Sequence, residues 1–325
     1  MFFYFILILI GFIMLIKGAD FLVNGASEIA KKLNIPEIVI GLTIVAIGTS
    51  MPELVVSATS AIEGYSDLAI GNVIGSNIAN LFLILGICSI IKPLKFKKET
   101  IMFEIPFTIF STVLLFVLCI NGMQENQNII LKSEGTILIV FCFLFIMYNL
   151  IITKKSDIFN KEKTIIEIHT KTKEISVVKS IGKIIIGIIG LKLGGDIVVT
   201  NSVEIATMLG ITEKLISLTI IAFSTSLPEL ITSITATIKG DTDMAIGNVL
   251  GSQIFNIVLI IGTSAILNPI RYSTSYNSNL ILLTAGSILL GIFPITGRKK
   301  QMTRGNGIVF TGIYIIYIVS LICSV

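Results

Sequence analysis

Residues 41–86 read GLTIVAIGTSMPELVVSATSAIEGYSDLAIGNVIGSNIANLFLILG, and residues 217–262 read SLTIIAFSTSLPELITSITATIKGDTDMAIGNVLGSQIFNIVLIIG. The two align without a gap at an offset of 176 residues, and 26 of the 46 positions are identical. GAD at 18–20 aligns with GGD at 194–196, and Glu28 with Glu204, at the same offset. So long a match at a single spacing is an internal duplication, and it defines the unit from which the fold is built.

Composition decides the solvent of that unit. Of the 325 residues, 54% are apolar and only 14% charged, against roughly 25% charged in soluble domains. Mean hydropathy is +0.95, and the apolar runs recur along the whole chain, which excludes a soluble protein. Charge-free runs of about 20 residues, the length a helix needs to cross a bilayer, lie at 68–91, 105–124, 135–153, 244–270, 272–297 and 305–325. Regions 2–30, 38–62, 176–208 and 214–238 are equally apolar but are interrupted by an acidic residue or a Gly/Ser/Thr/Pro cluster. Together they predict an all-α polytopic membrane protein with ten transmembrane helices. The first run reads as a span rather than a signal peptide, because no basic segment precedes it and no small-residue cleavage site follows.

Lys and Arg alternate between loops as ten spans require. Lys31 and Lys32, Lys92 to Lys98, Lys154 to Lys183, Lys239, and Arg298 to Arg304 follow the odd spans, whereas the even loops hold only Lys132, Lys214 and Arg271. The odd loops are therefore expected in the cytoplasm and both termini outside. The net charge of +4 marks topology rather than a nucleic-acid surface. Cys88, Cys119, Cys142 and Cys323 sit in apolar runs without CxxC spacing and read as small hydrophobes. The expected division is a first five-helix repeat at 1–153, a cytoplasmic linker loop at 154–175 carrying a solvated His169, and a second repeat at 176–325. Five spans per half is an odd number, so the second copy enters the membrane from the opposite side and the repeats are inverted, an architecture typical of secondary transporters.

The polar residues inside the repeated spans carry the chemistry. Pro52 and Pro228 lack a backbone donor and crowd the carbonyl four residues back, so both helices should open and free carbonyls over Ala46–Thr49 and Ala222–Thr225. Thr49 and Glu53, like Thr225 and Glu229, lie one turn apart on one face. Asn72, Ser76 and Asn80 recur every four residues, as do Asn248, Ser252 and Asn256, beside GxxxG pairs that admit a neighbouring backbone. An ionised carboxylate at mid-membrane costs at least about 2.5–3.5 kcal/mol. No Lys or Arg occurs in these cores to compensate Glu53 and Glu229, so the counter-charge must be protons or bound cations. Hard oxygen donors without sulfur or imidazole suit Na⁺, Ca²⁺ or Mg²⁺, and Ca²⁺ sheds its water more readily than Mg²⁺. Two negative charges match one Ca²⁺ or a few Na⁺, and a site filled by one set or the other can exchange them.

AIGTSMPE at 46–53 with GNVIGSNIAN at 71–80, and AFSTSLPE at 222–229 with GNVLGSQIFN at 247–256, resemble the cation/calcium exchanger superfamily, in particular its prokaryotic sodium/calcium exchanger branch. The resemblance spans the whole chain. It implies a sodium-driven calcium antiporter of the cell membrane, without prosthetic group or enzymatic activity, whose helices 1 and 6 slide across the core to give alternating access. It also implies that Glu53 and Glu229 share Ca²⁺ and Na⁺ with backbone oxygens of Thr49 and Thr225. Ala46 and Ser76 would join Thr49 and Glu53 in one sodium site, and Ala222 and Ser252 would join Thr225 and Glu229 in the other. Ser50, Ser226, Asn80 and Asn256 would line the centre. Two positions depart from the branch: Asn256 stands where Asp is frequent, and Ser224 where Gly is usual. Asn256 resembles the proton/calcium branch and keeps H⁺/Ca²⁺ antiport as the alternative; K⁺ dependence, stoichiometry and oligomeric state are left open. A passive cation channel and an intramembrane hydrolase fit less well, since broken helices at a repeat interface suit a carrier and the serines have no spare base. Asp20 and Asp196, paired by the repeat near one end of helices 1 and 6, suggest an interfacial ion pair or a gate.

Overall fold

The computed structural model describes residues 2–33, 35–120, 128–163, 176–210, 222–296 and 300–323; His169 and the start of the second repeat motif lie outside them. In chain order the helices are α1 (Phe2–Leu33), α2 (Glu37–Thr49), α3 (Met51–Ile62), α4 (Ser66–Ile91), α5 (Thr100–Ile120), α6 (Lys132–Lys163), α7 (Val177–Met208), α8 (Ala222–Ser224), α9 (Leu227–Lys239), α10 (Thr242–Leu267), α11 (Asn277–Thr296) and α12 (Arg304–Cys323). Seven of these, α1, α4, α5, α6, α10, α11 and α12, are long and apolar enough to cross a membrane, and α2 with α3, bent by 49°, makes an eighth. α9, at 13 residues, is too short to cross alone and follows a segment, 211–221, outside the described residues.

The polarity of the molecule is turned inside out. Phe2, Phe3 and Leu9 of α1, Phe143, Leu144 and Met147 of α6, and Ile308 and Ile316 of α12 are exposed, whereas Glu53, Ser57, Asn77, Glu229, Asn248 and Gln253 are buried. Water would not tolerate so large an apolar surface, but lipid does, and the helices satisfy their own backbone groups as lipid requires. The expected linker starts later than the apolar run suggests, because α6 continues to Lys163. The stretch TKKSDIFNKEK contains neither Gly nor Pro, so the change to polar side chains ends the apolar segment without ending the helix.

α4 and α10 form the buried centre. α2 lies against α10 at backbone distance: a Cβ on Gly247 would sit 2.5 Å from the carbonyl of Ile38, and one on Gly251 2.8 Å from that of Leu42. The first-repeat Gly71 is approached instead by the Tyr276 hydroxyl. Gly86 of α4 faces Gly307 of α12, and its repeat mate Gly262 of α10 faces Gly135 of α6. Four two-residue strands tie the loops: β1 (Leu94–Lys95) pairs antiparallel with β4 (Gln301–Met302), and β2 (Ile129–Ile130) with β3 (Ile270–Arg271).

α1 and α7 form a pair of their own beside this centre. Gly11 meets Gly194, Gly18 meets Gly187 and Gly25 meets Ser180, so the helices run antiparallel with a glycine every seventh residue of α1 at the seam. A Cβ on Gly18 would lie 2.7 Å from the amide nitrogen of Leu191 and 2.9 Å from the carbonyl of Gly187. These are backbone atoms and cannot give way without separating the helices. Gly18→Leu should therefore cost about 1–3 kcal/mol and lower the melting temperature in detergent. Gly182→Ala, where a Cβ meets nothing within 4 Å, should hold or raise it; a parent-like melting curve for Gly18→Leu would contradict this packing.

Candidate cation-binding site

Both repeats break at a serine just before the proline. Ser50 has φ −83° and ψ 8°, Ser226 has φ −85° and ψ 1°, and Pro52 and Pro228 occupy the first turn of α3 and α9, where a missing N–H costs nothing. Across the first break the Ser50 N–H donates to the Ala46 carbonyl (3.0 Å) and the Leu54 N–H to that of Ser50 (3.1 Å). The expectation for Ala46 is corrected: its oxygen keeps its α-helical donor, the Ser50 N–H, and Pro52 withholds only the bond that the Gly48 carbonyl would receive. Ala222 sits at the start of α8.

Two asparagines brace the breaks by one pattern. Asn72 donates through Nδ2 to the Glu53 carbonyl (3.3 Å) and the Ser57 hydroxyl (2.9 Å), and its Oδ1 accepts from Thr225 of the other repeat (3.2 Å). Asn248 donates to the Glu229 carbonyl (3.4 Å) and to Ser233 (2.9 Å), and its Oδ1 accepts from Thr49 (3.1 Å). Each amide holds its own glutamate's backbone and reaches across to the opposite threonine. The outer asparagines of the two stripes are therefore structural crosslinks.

Ser50 donates to Glu229 Oε1 (2.8 Å) and lies 3.0 Å from the Ser252 hydroxyl, while Ser76 and Thr225 hydroxyls lie 3.3 Å apart. The expected sodium sites grouped Ser76 with Thr49 and Ser252 with Thr225. The structure groups them the other way, Ser76 with Thr225 and Ser252 with Ser50, because α4 and α10 each pack against the broken helix of the opposite repeat. Asn256 donates to Asn77 (3.0 Å), which donates to the Gln253 carbonyl (3.3 Å). Asn80 and Asn256 each stand at the start of a π-helical turn, Ala79–Ile84 and Asn256–Ile261; π turns re-aim side chains at functional sites.

What remains is a set of buried oxygens and amides with nothing to bond. Both carboxylate oxygens of Glu53, Oε2 of Glu229, both amide atoms of Asn80, Oδ1 of Asn256 and the Ser226 hydroxyl have no hydrogen-bond partner, and Glu53 and Glu229 are 1% and 0% exposed. Among the described residues the three ion pairs involve Lys97, Lys183 and Lys239, none with either glutamate. Each orphaned neutral group forfeits about 1–3 kcal/mol, and charged ones more. A donor set of hard oxygens around two uncompensated carboxylates fits cation cargo. Beside it lies a cavity of about 500 Å³, lined by Met51, Pro52, Thr225 and Pro228 at the two breaks and by Lys192, Asp196 and Thr200 of α7. Asp20 is ion-paired with Lys239, whereas its repeat mate Asp196 is exposed on that cavity.

The sodium/calcium exchanger protein family matches residues 3–154 and 179–323, and the chain belongs to that family. It is a multi-pass membrane transporter of the exchanger type, not an enzyme, and the fold is that of the exchanger NCX_Mj. One NCX_Mj structure, soaked with 2.5 mM Na⁺ and 0.1 mM Ca²⁺, superposes with a TM-score of 0.79 at 31% identity, covering 96% of each chain. Sodium/calcium exchanger MaX1 of Methanosarcina acetivorans is 34% identical over 98% of both chains. Putative antiporter CaxA of Alkalimonas amylolytica is 34% identical over 96% of both.

Ser57 and Ser233 were not evident as site residues in the sequence. Their signal was identity at the 176-residue offset, shared with many apolar positions. Ser57→Ala or Ser233→Ala strips an asparagine amide of its hydroxyl acceptor, which should cost about 1–3 kcal/mol and raise the calcium concentration for half-maximal binding. Unchanged stability and calcium titration in both variants would contradict the bracing role.

Proposed function

We propose that this chain is a Na⁺/Ca²⁺ antiporter that extrudes Ca²⁺ across the cell membrane by alternating access. The observation that carries the reading is the pair of buried, uncompensated carboxylates of Glu53 and Glu229 amid unpartnered oxygens. Either ion set neutralises them and a vacant site leaves them exposed to the membrane's low dielectric, so the site crosses readily only when loaded. Thr49, Thr225, Ser50, Ser226, Ser76, Ser252, Asn80 and Asn256 supply the remaining oxygens, with Ala46 and Ala222 at the flanks. Ca²⁺ and Na⁺ are cargo and there is no prosthetic group.

The transport mode needs ten spans in two inverted five-helix repeats, 1–153 and 176–325, with both termini outside and the 154–175 segment cytoplasmic. Two features support this arrangement. β1 and β3 are repeat mates, as their numbers differ by 176, yet each pairs with a strand of the opposite half. The loops joined as β1·β4 are both lysine-rich, and those joined as β2·β3 are both lysine-poor, as two sides of one membrane require.

A second reading, H⁺/Ca²⁺ antiport through the same glutamates, is favoured by Asn256, which leaves two carboxylates rather than three. Proteoliposomes separate the two. Calcium uptake should follow an imposed sodium gradient and persist when the pH gradient is collapsed; uptake that needs only a pH gradient would establish the proton reading instead. Glu53→Gln and Glu229→Gln should each reduce exchange to background, and full activity in either would remove the compensated-charge mechanism.

A further inference from the structure

The α1/α7 pair is fastened to the centre at the turn between α9 and α10. Lys239, the last residue of α9, forms an ion pair with Asp20 of α1 and donates to Asn24 Oδ1 (2.8 Å). Two residues on, past Gly240 with φ +94°, Asp241 accepts from Ser27 of α1 (2.9 Å). The turn between α9 and α10 thus grips α1 from both sides of one glycine. A second ion pair, Glu28 with Lys183, joins α1 to α7, so what grips α1 also holds α7.

The repeat duplicates the turn but not the grip. Gly240 aligns with Gly64, which has the same left-handed backbone, φ +85°. Asp20 aligns with Asp196 and Asn24 with Thr200, both on the open cavity. Lys239, however, aligns with Glu63, Asp241 with Tyr65 and Ser27 with Val203. Inverted repeats exchange conformations when access alternates, so closing the cavity side would bring Asp196 toward Glu63, two acids where the other side has an ion pair.

We propose that Asp20, Asn24, Ser27, Lys239 and Asp241 form a one-sided latch. It holds the ion-free protein closed at the end bearing Lys239 and open at the cavity bearing Asp196, so that the two access states are unequal before any ion binds. The proposal rests on the alternating-access reading but not on the identity of the counter-ion.

The test is maleimide labelling of the purified, ion-free full chain in detergent, with exposed Cys323 replaced by Ser. Ala236→Cys, buried between α9 and α1 at the latched end, reports opening there; Val199→Cys reports the cavity. Lys239→Gln should raise labelling at 236 roughly fivefold, the scale of one partly exposed ion pair with its hydrogen bonds. Glu63→Lys, which supplies the missing mate for Asp196, should raise it by a similar factor and slow labelling at 199. The exchange Asp20→Lys with Lys239→Asp should return 236 to its parent rate, while buried Cys88 and Cys142 stay unlabelled throughout, which separates unlatching from unfolding. Unchanged labelling at 236 in both Lys239→Gln and Glu63→Lys, or failure of the charge exchange to restore it, overturns the latch. Labelling needs no transport, so absence of sodium/calcium exchange in the parent would refute the proposed function and leave this result readable.

Discussion

Two carboxylates with no basic partner, buried in a protein that lipid surrounds, are the constraint on which the rest of the structure depends. A helix cannot hold such a group at mid-membrane unless something else neutralises it. The chain meets this by concentrating neutral oxygens around Glu53 and Glu229, and by leaving several of them unbonded. On the proposed reading, the serine breaks and the π turns at Asn80 and Asn256 serve that one requirement.

Precision comes from the crosslinks between the repeats. Asn72 and Asn248 each spend one end on their own glutamate's backbone and the other on a threonine of the opposite repeat. The two halves therefore cannot shift independently without disturbing both breaks. Glycine serves the packing in two ways: Gly247 and Gly251 bring α2 within backbone distance of α10, and the heptad of α1 keeps α1 and α7 together as a separable pair.

The fold class was legible because lipid imposes run length, and the site because scarce charge inside those runs is conspicuous. Glu53 and Glu229 stand out on both grounds, and the duplication at a 176-residue offset pairs them. Other features depended on how the repeats meet, which no local pattern encodes. Ser76 was expected beside Thr49 because both belong to one repeat, yet it lies by Thr225, since α4 faces the other repeat's broken helix. Ser57 and Ser233 matter only through the asparagines they receive. The end of α6 was misplaced because hydropathy marks where lipid stops, whereas helix length follows backbone propensity.

Neutralisation of the two glutamates by the cargo, one ion set at a time, is the step on which the proposed exchange rests. It is tested most directly by equilibrium binding of radiolabelled calcium to the purified protein across a range of sodium concentrations. The expected result is saturable calcium binding that sodium displaces completely and that Glu53→Gln with Glu229→Gln eliminates. Calcium binding that persists in saturating sodium, or that survives loss of both carboxylates, would contradict it.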